Sequence, residues 1–280
     1  SFDPKKSNTY HLSILSNEEN LAFAVLDTDT NKYLVLQSFT PTLKGEDILA
    51  PFRAGGINTS FKSVTCAVAH NKFTLVPSAL FDEENKKSLL GFNHPLDSEE
   101  KIHSDTLRNL EAKNIFTISK SFETKLRKYF INVHFIHNST SFIEGLLIQY
   151  KNKKGKKVFA NFTAPLFSGR GAGGEVGYFE IVMLEDGKLL FSNSFKYKTP
   201  EDIAYYILFV YEQLHLNPEE VELVLSGEIE KTADEHTLLY NYIRHVKFAS
   251  LPDGFKYSYK FEEIPNHKFF SLFTQYLVTN

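Results

Sequence analysis

The stretch from Tyr178 to Glu230 constrains this chain most, because its punctuation dictates both the elements and the order in which they neighbour one another. Tyr178 to Leu184 is a mostly apolar strand-like run, Glu185-Asp186-Gly187-Lys188 supplies the Asp-Gly pair of a tight hairpin, and Leu189 to Phe195 runs back. The pattern predicts an antiparallel pair. Thr199 stands where a helix N-cap belongs, Pro200 fits the first helical position, and Glu201 and Asp202 set negative charge against the positive end of the helix dipole. Ile203, Ile207, Val210 and Leu214 recur at helical spacing until Asn217-Pro218, so one face of this helix is expected to be buried. Val221 to Leu225 then reads as a short strand, and a strand reached through a crossover helix lies parallel to its neighbours. Ser226-Gly227-Glu228 is the turn at its C-terminal end, the edge where open α/β sheets bind ligands.

Upstream, 10–15, 21–27 and 33–39 are three strand-like runs separated by turn signals, followed by a short helix at 45–52 that Pro51 ends or kinks. Residues 61–68 and 73–76 read as strands, the second half of 77–90 as helix, and 91–105 as an exposed polar loop. Strands at 114–119 and 130–135 flank a helix at 121–128, and 139–150 is a second helix. A lysine-rich connection, 151–157, leads to a second series: strand 158–162, the hairpin, helix and strand described above, helix 234–244 and strand 246–251. A strand at 257–261 and a helix at 267–278 remain. Similar element order in the two halves points to a duplicated architecture, with domains at 1–151 and 152–280 and the last helix free to return to the first. Each half is expected to build its own central sheet.

Composition excludes several functions. The net charge is −3 with Lys and Glu interspersed, so no nucleic-acid partner is expected. Cys66 is the single cysteine and reads as buried strand, which rules out an internal disulfide and fits a reducing cytoplasm. No run approaches the roughly 18 apolar residues of a membrane span.

Three strands, helix, strand, helix, strand is the order of a ribonuclease-H-like unit, and two such units resemble the actin-like ATPase fold. Phe191-Ser192-Asn193-Ser194-Phe195, Thr199-Pro200-Glu201-Asp202, Tyr205-Tyr206, Glu212-Gln213-Leu214, Asn217-Pro218 and Leu225-Ser226-Gly227-Glu228-Ile229 look like an uncharacterised family known in Bacteroidetes, with an actin-like fold and no assigned function. The resemblance implies an α/β protein of two ribonuclease-H-like lobes with mixed sheets flanked by helices. It also implies an Asp-x-Gly phosphate motif at the first strand of each half and a Gly-Gly pair after the fourth strand of the second. Here 10–16 holds neither Asp nor Gly, 158–163 offers Asn161 in place of Asp, and 225–228 keeps one glycine of the pair. Phosphoryl transfer needs Mg²⁺ held by oxygen ligands, so the departures argue against ATP hydrolysis.

Gly169-Arg170-Gly171-Ala172-Gly173-Gly174 matches G-x-G-x-x-G, but a dinucleotide fingerprint must open a helix and a strand follows here. In the resembling fold this loop lies where phosphate binds, and its backbone N–H groups with Arg170 could hold an anion. The site expected from sequence is therefore Gly169, Arg170, Gly171 and Gly174 with Ser226, Gly227 and Glu228, in the cleft between the halves. His134 and His137 fall on opposite faces of a strand and predict no metal site. The leading expectation is a non-catalytic protein that binds a macromolecular partner, itself a protein, with no cofactor. The competing one is a nucleotide-binding protein or slow ATPase that takes ATP at that cleft. A ribonuclease-H-like nuclease would need a carboxylate cluster, and none is visible.

Overall fold

The computed structural model describes residues 2–18, 20–39, 47, 49–54, 57, 60–163, 176–259, 261 and 264–279. The chain divides into two compact units, one comprising Ser1–Gly145, Pro252–Ile264 and Ser271–Asn280, the other Leu146–Leu251 and Pro265–Phe270. Among the described residues no helix is long and apolar enough to cross a membrane.

The first unit is built on β1 (Tyr10–Ser16), β2 (Leu21–Asp27), β3 (Lys32–Phe39), β4 (Ser63–Val68), β8 (Val133–His137) and β14 (Lys256–Tyr257), in the order β14-β3-β2-β1-β4-β8. β1 pairs antiparallel with β2 and parallel with β4, and β4 is parallel to β8. β1 is central because it is buried on both faces: Leu12 and Ile14 join Phe23, Phe52, Val64 and Cys66 in one core, while His11 and Ser13 are buried on the other side. On that second face the last helix, α7 (Phe270–Thr279), donates Gln275 Nε2 to the Ile14 carbonyl at 2.9 Å. Its neighbour α4 (Asn138–Tyr150) approaches so closely that a Cβ on Gly145 would lie 2.6 Å from Thr274 Cγ2.

Between β4 and β8 the chain inserts a three-stranded antiparallel sheet, ordered β5-β7-β6, from β5 (Phe73–Pro77), β6 (Glu100–Leu107) and β7 (Ala112–Ser119), with α2 (Lys86–Asn93) and α3 (Lys120–Tyr129). The expected loop at 91–105 is thus a loop only over 94–99, its flanks being the end of α2 and most of β6. β6 escapes a periodicity argument because only Asp105 and Leu107 are buried along it. The short helix, expected at 45–52, is described as α1 (Ala50–Ala54), with Pro51 inside its first turn, where a missing N–H costs nothing. The strand expected at 130–135 begins only at Val133. The strand expected at 257–261 is the two-residue β14, which extends the first sheet beside β3.

The second unit repeats the architecture. Its sheet comprises β9 (Lys156–Phe162), β10 (Gly177–Glu185), β11 (Lys188–Tyr197), β12 (Glu222–Gly227) and β13 (Val246–Phe248), ordered β11-β10-β9-β12-β13. β9 pairs antiparallel with β10 and parallel with β12, and β12 is parallel to β13, as β1, β2, β4 and β8 do in the first unit. Both hairpins carry a register shift, at Val25/Leu26 and at Met183/Leu184. Among the described residues each unit has its own central sheet, although β14, from the second half of the chain, pairs with β3 in the first. α5 (Pro200–Gln213) starts with a full capping box: Thr199 Oγ1 accepts from Asp202 N, and the Asp202 carboxylate accepts from Thr199 N. Its buried stripe, Ile203, Ile207, Val210 and Tyr211, packs on β9 and β12 residues such as Val158, Leu223 and Leu225. α6 (Asp234–Tyr240) and β13 stop short of the expected 244 and 251.

Candidate functional site

In the second unit β9 and β12 run parallel side by side, and register places Ser226 opposite Asn161 and Gly227 opposite Phe162. Asn161 and Ser226 are 2% and 1% exposed, so their polar atoms must find partners within the protein. Ser226 Oγ donates to Asn161 Oδ1 at 3.1 Å. Asn161 Nδ2 is buried with no acceptor, which costs about 1–3 kcal/mol unless something fills it. Immediately beyond, Gly227 adopts φ +80°, and a Cβ there would lie 2.0 Å from the Phe162 carbonyl oxygen and 2.8 Å from Asn161 Oδ1. Only glycine fits: the backbone conformation and the close approach both demand it. The chain then folds back, with Glu228 N donating to the Phe162 carbonyl at 2.9 Å and Ile229 N to the Gly227 carbonyl at 2.8 Å.

The rim of this turn is charged but balanced. The Lys268 ammonium lies 3.2 Å from Glu228 Oε2 and also pairs with Glu230. Burial alone would lower the pKa of Lys268, but the hydrogen bond to Glu230 and the charge of Glu228 outweigh it and hold it above its ordinary value. His267 Nε2 meets the Ile229 carbonyl at 2.7 Å, and burial holds the imidazole below its usual range. Neither was legible as a site residue. His267 lies 38 positions beyond Ile229, and Lys268 lies 38 beyond Glu230, in a run that reads as helix.

Chemically, the arrangement offers a neutral amide and a hydroxyl where magnesium-dependent phosphoryl transfer requires a carboxylate. The free Asn161 N–H can donate to a carbonyl or an anionic oxygen, and neither Asn161 nor Ser226 is an anionic ligand for a divalent cation. Of the seven residues expected from sequence, Ser226, Gly227 and Glu228 are brought together here. Gly169, Arg170, Gly171 and Gly174 lie outside the described residues.

The corresponding strand end in the first unit is closed by the same bond, Ala69 N donating to the Ser16 carbonyl at 2.8 Å. Its β1–β2 turn satisfies itself. Ser16 Oγ accepts from Glu18 N at 2.9 Å and donates to the Asn20 carbonyl at 2.8 Å, while Asn17 Oδ1 accepts from Asn20 N at 2.7 Å. The Glu18 carboxylate accepts from Ser119 N, at the start of α3, at 2.8 Å. The Glu18 and Asn20 amides, which could cradle a phosphate, are thus occupied, and a carboxylate stands beside them. The two histidines separate as expected, His134 exposed and His137 buried against Phe73 and Phe116. Among the described residues no group of three or more His, Cys, Asp or Glu could hold a metal ion.

Residues 1–246 match a family described as protein of unknown function (DUF3822). A Bacteroides thetaiotaomicron protein with actin-like ATPase fold and unknown function superposes with a TM-score of 0.73 at 26% identity, over 89% of this chain and 94% of that one. A chain of the PilM–PilN type IV pilus biogenesis complex superposes with a TM-score of 0.57 at 12% identity, over 95% of this chain and 97% of that one. Among curated proteins none matches. The fold is that of the actin-like ATPases.

Proposed function

The chain belongs to the DUF3822 family of proteins of unknown function, and from that footing we propose that it is a non-catalytic actin-fold protein that works by binding a protein partner. One observation carries the reading: β9 ends on the neutral Asn161, whose Oδ1 accepts from Ser226, where a magnesium-organising acid would have to stand. At the end of β1 the Glu18 carboxylate is turned to the amide of Ser119, which one of its oxygens accepts from. The self-satisfied β1–β2 turn supports it further. The pilus neighbour is part of a two-protein complex, and its likeness to this chain is one of fold.

A second reading rests on the unfilled Asn161 N–H, which favours an oxygen-bearing ligand at that turn. On that reading a nucleotide is held without being hydrolysed. Purified protein should release no phosphate from ATP with Mg²⁺ above the background of an Asn161→Ala control, and a purified partner should form a stoichiometric complex in nucleotide-free buffer. Phosphate release at roughly 1 s⁻¹ that disappears in Asn161→Ala would overturn the proposal. So would a partner complex that forms only with ATP and Mg²⁺.

A further inference from the structure

Away from the β9–β12 turn, the first unit carries a pocket of about 460 Å³, within the range of small-ligand sites. Its floor is the second face of the sheet, where Thr65 of β4 is opposite His134 of the edge strand β8. Ser104 to Thr106 of β6 and the end of α7 also line it. Phe61, Ile136 and Val278 give it apolar wall.

Charge sets this pocket apart. A second pocket, beside α2, is lined by both signs, and its Lys86 pairs with Glu83. Here the exposed cations are Lys62 and Arg108. Lys62 Nζ donates to the neutral hydroxyl of Thr28, at 3.0 Å. Glu144 feels the charge of Arg108, and its two oxygens accept from Asn109, from its N at 2.9 Å and from its Nδ2 at 2.7 Å. Asp105 is the one acid among the lining residues, and both its oxygens are already occupied: Oδ2 accepts from His137 N at 2.7 Å and Oδ1 from Thr140 Oγ1 at 2.7 Å. Burial pushes its carboxyl up to about 7. His134 registers the local field: burial first, then the charges of Arg108 and Arg127, hold its imidazole below the ordinary value.

We propose that this pocket binds a small phosphate monoester, its phosphate facing Lys62 and Arg108 and its body against the apolar wall. Two exposed cations on one pocket match a dianion better than a monoanion. Among the lining hydroxyls Ser63 is engaged with His11 and Ser104 with Glu83, while Thr106 Oγ1 accepts from Lys113 Nζ at 2.8 Å and keeps its own O–H to donate; with Lys62 and Arg108 this gives three separate donors, which suit the several lone pairs of a tetrahedral phosphate more than a planar carboxylate with two oxygens. The inference is independent of the reading given for the β9–β12 turn.

Calorimetric titration of the full chain with phenyl phosphate tests it, with benzoate as the planar monoanion of similar body. The expected result is one saturable site for phenyl phosphate, weakened at least roughly tenfold in Lys62→Ala and in Arg108→Ala. Lys151→Ala, at an exposed lysine elsewhere, should leave it unchanged. Both pocket positions are exposed, so these variants retain the fold and circular dichroism verifies it. Absence of saturable binding, equal affinity for benzoate, or an affinity that falls as much in Lys151→Ala as in the pocket variants overturns the proposal.

Discussion

Replacing Gly227 by alanine tests the geometry of the β9–β12 turn quantitatively. The residue sits at φ +80°, and its missing Cβ would overlap the Phe162 carbonyl oxygen at 2.0 Å, a backbone atom that no rotamer change can move aside. The left-handed conformation costs about 1–2 kcal/mol for a residue bearing a Cβ. Relieving the overlap must displace one of two paired strands, at about 1–3 kcal/mol for overpacking. The hydrogen bond from Glu228 N to Phe162, worth about 0.5–1.5 kcal/mol, is then strained or lost. Together these give about 2.5–6.5 kcal/mol. Gly155 is the control in the same unit: its φ is +91°, but nothing lies within 4 Å of where its Cβ would stand. Gly155→Ala should therefore cost only the conformational share, about 1–2 kcal/mol. Urea unfolding followed by circular dichroism measures both. If the two substitutions destabilise equally, within about 0.5 kcal/mol, the close approach of Gly227 to β9 is not what the geometry indicates.

Further outcomes are expected. Thr199→Ala removes the acceptor for Asp202 N and should cost about 1 kcal/mol in the same unfolding assay. His11 is buried with its pKa lowered from 6.5 to about 3, so the unfolded chain takes up a proton that the native state refuses. Stability present above pH 6.5 should therefore fall as pH drops toward 3, and His11→Gln should flatten that slope. Asp105 acts in the opposite sense: its pKa rises from 3.8 to about 7 through burial, so its contribution is complete below 3.8 and is lost as pH rises through 7. The stability of Asp105→Asn, measured by thermal melts at several pH values, should improve relative to the parent protein across that interval.

The second unit was largely legible because its signals are local. The Asp186-Gly187 hairpin, the Thr199 N-cap and the stripe of Ile203, Ile207 and Val210 each act over a few residues, and the structure reproduces all three, with Leu214 as the cap that follows the helix. What sequence could not supply was pairing at a distance. The Ser226–Asn161 contact joins residues 65 apart, and Glu18 reaches Ser119 across 101. β14 is a strand only because β3 accepts it, since two residues carry no periodicity of their own. β6 was hidden by its largely polar, half-exposed side chains, although it brings Asp105 to His137. The presence of Asn rather than Asp at residue 161 was readable as chemistry, while the unfilled amide that follows from it needed the register of β9 against β12.

The central proposal is that, among the described residues, this actin-fold chain carries no magnesium-organising centre for a nucleotide. Calorimetric titration with ATP, run with Mg²⁺ and again with EDTA, addresses it most directly. Either no binding or an affinity that is the same in both buffers is predicted, because Asn161 and Ser226 supply no anionic ligand. An affinity that rises tenfold or more, about 1.4 kcal/mol, when Mg²⁺ is present, and that loses the gain in Asn161→Ala, would contradict it.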